Sequence, residues 1–271
     1  MLKVVPINMN TLCYWKRKFK NCNIKEINLN DLIYRIWSED KHLGILRITA
    51  ILKNKYQLKI NHKRVKRIMN ELNIFGIGYT KKIRKYDSSK GPEGKRVKNK
   101  LNRRFYSNRP YQKLVSDVTE FKVKNGEKVY LEPIMDLYNN QILTYSITDE
   151  SPDLKFAVKP LEDLRLKLPK TGYKLMLHTD QGWQYRHRRW RMELKKAKIT
   201  QSMSRRSCCL DNACIESFFN KLKVEIGNLK QFNSSEELIV KIKKWINYYN
   251  TERVQTKLGG LSPIKYQKQA A

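Results

Sequence analysis

The chain has 271 residues, enough for one sizeable domain and a smaller one, and its hydrophobic content of 40% excludes wholesale disorder. Lys and Arg number 57 against 25 Asp and Glu, a net charge of +32, so the expected partner is a polyanion, nucleic acid first and an anionic membrane surface second. No run of about 18 apolar residues occurs, so no membrane-spanning helix is expected.

The N-terminus has Pro6, Asn8 and Asn10 before Lys16-Arg17-Lys18 and lacks the layout of a secretion signal. Five cysteines without framework spacing (Cys13, Cys22, Cys208, Cys209, Cys214) read as reduced thiols of a cytoplasmic protein, not as a disulfide or zinc scaffold. Residues 1–30 form a basic segment in which Thr11 to Phe19 is a candidate short helix. Residues 31–76 form the first patterned domain. Asn30 is the expected N-cap of a helix that turns Leu32, Ile33, Ile36 and Trp37 inward. His42-Leu43-Gly44 breaks the pattern. Ile45, Ile48, Ile51 and Leu52 mark a second helix. Asn61 caps a third, with Val65, Ile68, Met69 and Leu72 inward and Lys63, Arg64, Lys66 and Arg67 outward. Three short helices ending in a basic one read as a helix-turn-helix module on DNA. The residues alone equally allow a plain bundle with a solvated charged face.

Residues 77–110 are a basic linker, with twelve Lys or Arg and only Asp87 and Glu93 as acids. The turn-rich stretch Ser88 to Gly94 cannot fold by itself, and the lysines around it suit phosphate contact. Residues 111–271 are the main domain. Leu114–Val123 alternates as one strand, Val129–Met135 is a second ending at Asp136, and Ile142–Ile147 is a third after an Asn139-Asn140 turn. Ser151-Pro152 opens a helix that Pro160 should kink or divide. Tyr173–Leu177 is the next strand and delivers Asp180. A helix from Trp190 to Ala197 and a short strand, Ile199–Ser202, follow. Asp211 or Asn212 starts the next helix, with Asp211 the preferred cap; its buried stripe is Ile215, Phe218, Phe219, Leu222 and Ile226. Ser234-Ser235-Glu236-Glu237 is a capping box for an amphipathic C-terminal helix.

Three acids stand at element ends: Asp117 in the first strand, Asp180 after the fourth, and Glu216 in the first turn of the helix. Three carboxylates so placed can hold two divalent metals about 3.5–4 Å apart, the arrangement used for in-line attack at phosphorus. At about 100° per residue, Lys223 lies two turns beyond Glu216 on the same flank, at reach of a phosphate. His178 and Gln181 either orient ligands or serve structure, Asn212 supports the helix start, and Ser202 and Ser204 are DNA contacts or turn residues. Asp136 and Asp211 are the rival acids.

The words around these acids are more specific than their spacing. His178–Tyr185, Gln201–Arg206, Leu210–Phe219 with Lys221-Leu222-Lys223 and Glu225, Trp245–Asn250 and Leu258–Pro263 resemble the IS3 family of bacterial insertion-sequence transposases, over nearly the whole chain from about residue 31. The resemblance implies an α/β RNase H-like integrase core, a mixed sheet with flanking helices, after a small all-α helix-turn-helix domain. It implies Asp117, Asp180 and Glu216 as a DDE triad with two Mg²⁺ or Mn²⁺, and Lys223 as the basic residue seven after the catalytic Glu. It implies DNA cleavage at the element's terminal inverted repeats, 3′-OH strand transfer into target DNA, a homo-oligomer on DNA, and the downstream-frame product that an upstream-frame protein of the same element can join. Ser207-Cys208 stands where the family usually has Gly-Asn. The rival functions are a non-catalytic DNA-binding regulator of the element, a decayed copy, and an RNase H-like nuclease without strand transfer.

Overall fold

The structure is a computed structural model that describes residues 9–11, 13, 24–78, 97–205 and 209–270. Most of the expected basic helix at 11–19, the turn-rich part of the linker and the Ser207-Cys208 departure lie outside the described residues. The chain divides into two compact units, one ending at Gly78 and the other starting at Tyr79.

The first unit is three helices: α1 (Ile24–Glu39), α2 (Ile45–Asn54) and α3 (His62–Glu71). Their inward stripes meet in one core that includes Ile33, Ile36, Ile48, Leu52, Val65, Ile68 and Met69. Asn61 caps α3 as expected, its side chain accepting from the Lys63 N–H at 2.9 Å. Asn30 does not cap α1. The helix is already under way at Ile24 because Leu29 extends the buried stripe, and the Asn30 Oδ1 is enclosed without a partner among the described residues. Beyond α3 the chain folds back over the α1–α2 turn. The Trp37 indole donates to the Phe75 carbonyl at 2.9 Å, and the Ile77 N–H to that of Lys41 at 2.8 Å. This return demands Gly76, where a Cβ would fall 2.9 Å from the Gly44 nitrogen. Lys63, Arg64, Lys66 and Arg67 are all exposed on α3, with Arg67 leaning on Glu71 at 3.5 Å.

The second unit is a six-stranded mixed sheet: β1 (Lys113–Ser116), β2 (Thr119–Lys122), β3 (Lys128–Asp136), β4 (Ile142–Thr148), β5 (Leu175–Thr179) and β6 (Ile199–Met203). β3 pairs antiparallel with β1, β2 and β4, while β1–β5 and β5–β6 are parallel. The strand expected over 114–123 is two strands, with Asp117 and Val118 at the break. One face of the sheet carries α4 (Leu154–Lys167), α5 (Trp183–Arg186) and α6 (Arg188–Lys196) over a core of Leu114, Ile134, Leu161, Leu177, Tyr185 and Trp190. The other carries α7 (Ala213–Ile226) and α8 (Ser235–Thr251) over Val115, Leu131, Met135, Phe218 and Tyr249. A last helix, α9 (Pro263–Ala270), follows.

Two expectations are corrected here. Asp153, not Ser151, caps α4, accepting from the Phe156 N–H at 2.6 Å. Pro160 does not divide that helix: it is buried at its middle, and the Pro160 carbonyl accepts from the Thr144 hydroxyl at 2.8 Å, which ties the helix to β4. The basic linker is also not free of the fold throughout. Leu101 lies in the core beside α7, and residues 97–105 are bonded to the sheet unit.

The ends of α7 and α8 are tied by one buried ion pair. Arg253 Nε donates to Glu225 Oε2 at 2.8 Å, the Trp245 indole adds a bond to the same oxygen at 3.2 Å, and both charged side chains are about 5% exposed or less. Removing one partner strands a buried charge. Arg253→Ala is expected to cost about 3–5 kcal/mol in denaturant unfolding, and the double change Arg253→Met with Glu225→Met much less. Equal losses in both proteins would mean that packing, not charge, holds this corner.

Candidate active site

The two aspartates are brought together by strand register. β1 and β5 run parallel, with Val115 opposite His178. Two residues further along each strand are Asp117 and Asp180. They therefore leave the sheet side by side, on strands about 4.8 Å apart, at the carboxyl ends where α/β sheets place ligands. Both are half-buried. The Val118 N–H donates to Asp117 Oδ1 at 2.8 Å, and the Gly182 N–H to Asp180 Oδ1 at 2.7 Å. A Cβ at Gly182 would lie 2.9 Å from that same oxygen, so a side chain there would push the carboxylate aside.

Glu216 comes from the first turn of α7, exposed beside the buried Ile215 and Phe218. Burial pushes the Asp117 carboxyl well above the usual carboxylate range, and the neighbouring charges of Asp180 and then Glu216 push the same way. The three acids therefore share one electrostatic neighbourhood. The buried Asn212 amide also acts on Asp117, yet neither of its polar atoms has an aligned hydrogen bond among the described residues. Among the described residues no three His, Cys, Asp or Glu side chains are already drawn into a closed metal-binding cluster. The donor set nevertheless suits a hard cation: all carboxylate oxygen, with like charges crowded at one edge.

The supporting residues make hydrogen bonds within the fold. His178 is buried and its Nδ1 lies 2.9 Å from the Ser202 hydroxyl. Burial pushes its imidazole down to about 4, so it is neutral near pH 7. Ser202 in turn accepts from the Lys100 and Leu101 N–H groups at 2.9 and 3.1 Å and so clamps the linker. Gln181 donates to the Ser204 carbonyl at 2.9 Å. Asp211 does not cap α7. Its carboxylate is gripped by Arg205, Arg103 and Asn99 at 2.8–2.9 Å, and these bonds, those of Arg205 first, hold it far below the usual carboxylate range. This second clamp on residues 97–105 has no local signal in the sequence, since Arg103 and Asn99 lie more than a hundred residues before Asp211. Asp136, the other rival acid, is enclosed at the far end of β3, accepting from the Tyr111 and Tyr138 N–H groups at 2.7 and 2.9 Å; burial still pushes it up to about 6. Lys223 lies two turns after Glu216 with its ammonium 5.2 Å from the centre of the Phe121 ring, a cation–π contact with β2.

Known proteins share this fold and domain order. Residues 107–209 and 197–263 match the integrase core domain, and residues 24–82 match an HTH-like domain. The chain is 38% identical over 270 residues to the putative transposase InsK of insertion sequence element IS150 from Escherichia coli K12, covering 99% of this chain and 93% of that protein. It is 42% identical over 213 residues to an uncharacterized transposase-like protein of Haemophilus influenzae, covering 79% of this chain and 95% of that one. Over 172 residues it is 33% identical to transposase InsF of IS3fB from E. coli K12, covering 63% of this chain and 59% of that protein. The fold is shared with a simian T-cell lymphotropic virus intasome structure, at TM-score 0.50 and 14% identity, covering 86% of this chain and 73% of that one. No helix among the described residues is long and apolar enough to cross a membrane. With an integrase core behind an HTH-like domain and a near full-length transposase relative, the chain belongs to the IS3 family of insertion-sequence transposases.

Proposed function

We propose that the chain cuts DNA at the ends of its insertion sequence and joins the freed 3′-OH to a target strand, using two Mg²⁺ or Mn²⁺ ions held by Asp117, Asp180 and Glu216. The observation that carries this is the β1–β5 register, which sets two carboxylates side by side within the charge field of a third. When bound, divalent ions polarise the scissile phosphate and activate the attacking oxygen. The protein's own task is then mostly positioning and charge neutralisation. Asp117 and Asp180 sit on a rigid sheet and fix one side of the site. Glu216, on the exposed flank of α7, closes it from the other. Lys223 is aligned by Phe121 to face a DNA phosphate near the cut, where a lysine acts as a point charge.

DNA is the partner that the HTH-like domain and the +32 charge imply. On this reading α3 enters the major groove of the terminal repeat with Lys63, Arg64, Lys66 and Arg67, and the basic chain from 77 to 110 follows phosphates. Two ends and a target require several copies of the chain on one DNA, so a homo-oligomer is part of the proposal. An upstream-frame protein of the element is a second partner to test.

The triad is tested with element-end DNA and Mg²⁺. Asp180→Asn is expected to cut nicking by roughly a thousandfold or more while leaving DNA affinity intact. Wild-type cleavage by that protein would move attention to Asp136. A mutant and wild type that bind ends equally but are both inert would favour the regulator reading.

DNA affinity should also fall steeply with salt, by about 0.9 log units per log unit of salt for each phosphate neutralised. Arg64→Ala is expected to lower the preference for end sequence by about 1–3 kcal/mol and general affinity by less. Competition binding against unrelated duplex DNA checks this. An unchanged preference would argue against α3 as the reading helix.

A further inference from the structure

One buried acid has no place in the chemistry of the triad. Glu132, on β3, is fully enclosed. It points to the α4–α6 face of the sheet, opposite the face that carries Glu216. Ser146 is its cross-strand partner on β4. Ser116 stands opposite Ile134 in the β1–β3 register, diagonal to Glu132 on the other side, and Tyr185 of α5 lies on the same face. The Ser116, Ser146 and Tyr185 hydroxyls and both Glu132 carboxyl oxygens are buried without an aligned hydrogen bond among the described residues. Tyr185 and Ser116 are nonetheless close enough to act on the Glu132 carboxyl. Small side-chain torsions would bring these groups into line, each hydroxyl being able both to donate and to accept.

Orphaned buried oxygens are costly singly, and a cluster of them calls for a reason. No cation stands among the groups that act most on Glu132. Burial first, then the charges of Asp117 and Asp180 through the sheet, hold its carboxyl well above the usual range, which favours the protonated acid. A carboxylic acid can donate to one hydroxyl and accept from another at once. The two hydroxyls beside it belong to telling residues. Ser116 directly precedes Asp117 in the chain. Tyr185 is held by the edge of the Trp190 ring, with centroids 4.9 Å apart, and its carbonyl accepts from Gln201 at 2.7 Å. Its short helix begins three residues after Asp180.

We propose that Glu132 is a positioning residue: it bridges Ser116 and Tyr185 behind the sheet and so fixes the separation of Asp117 and Asp180 on the front. This rests on the divalent-ion reading of the triad. It assigns Glu132 no contact with metal or DNA.

The test compares Glu132→Gln with Glu132→Met, reading both the Mg²⁺ concentration that gives half the metal-induced rise in melting temperature and the rate of end nicking. Gln keeps one donor and one acceptor and is expected to stay near wild type in both. Met removes an orphaned acid without leaving a hole, so it should melt no lower than wild type in metal-free buffer. It should still need about tenfold more Mg²⁺ and nick about tenfold more slowly, the usual scale for loss of a group that orients a metal ligand. A Met variant with wild-type Mg²⁺ demand and rate overturns the proposal. So does a Gln variant as impaired as Met, because that would mean the ionised carboxylate acts as a charge. If Glu132→Met fails to fold, Ser116→Ala and Tyr185→Phe each remove one hydroxyl; a raised Mg²⁺ demand in both supports the bridge, and no change in either overturns it. A wild-type protein without any Mg²⁺ response would overturn the metal reading and this proposal together, whereas a wild-type response that the Met variant shares overturns this proposal alone.

Discussion

The parallel pairing of β1 with β5 is the constraint on which the rest depends. It places two carboxylates at neighbouring strand ends, where a cation would ordinarily be needed to hold them close. No lysine or arginine stands among the groups that act most on Asp117. Acids crowded in this way repel one another, and a divalent ion between them relieves the repulsion. Everything nearby preserves that tension. Gly182 leaves room for the Asp180 carboxylate against the backbone, the break after Ser116 turns Asp117 out of the sheet, and the apolar stripe of α7 leaves Glu216 on an exposed flank from which its charge acts on Asp117.

A second layer of polar contacts fixes the surroundings. His178 and Ser202 reach across β5 and β6 to two backbone N–H groups of the linker. Asp211 gathers two arginines and an asparagine just before α7. Residues 97–105 are therefore laid against the core next to the site helix. The Asp211 carboxyl is depressed, so the stability it lends is present above the ordinary carboxylate range and is lost as pH falls through its folded value; the clamp persists at neutral pH. In a chain so rich in cations, the acids that matter are those enclosed or grouped: the proposed ligand set, the Asp211 clamp and the Glu225–Arg253 pair.

Much of this is legible in the residues. The helical stripes of α2, α3, α7 and α8 are regular enough to place Glu216 and the basic face of α3 from periodicity alone. Asp180 is visible because an apolar strand ends in a run of polar, turn-forming residues. The break at Asp117 is not, since apolar alternation continues through Val118 to Phe121 and hides the bend. Asn30 misleads because a good capping residue also occurs inside helices, and only the burial of Leu29 shows that the helix is already under way. Asp211 resembles a cap because its arginine partners are distant in sequence or beyond a turn. Glu132 leaves one faint signal, a lone acid inside the apolar run Val129 to Met135, whose meaning depends on which hydroxyls the sheet sets beside it.

The arrangement is tested most directly by soaking Mn²⁺ into crystals of the protein bound to an element end and locating the ions by anomalous scattering. Peaks at about 2.0–2.2 Å from the carboxylate oxygens of Asp117 and Asp180, with Glu216 drawn in toward one of them, are the expected result. Mn²⁺ bound instead at Asp136, or absent from both strand ends while the crystals remain able to cut DNA, would contradict it.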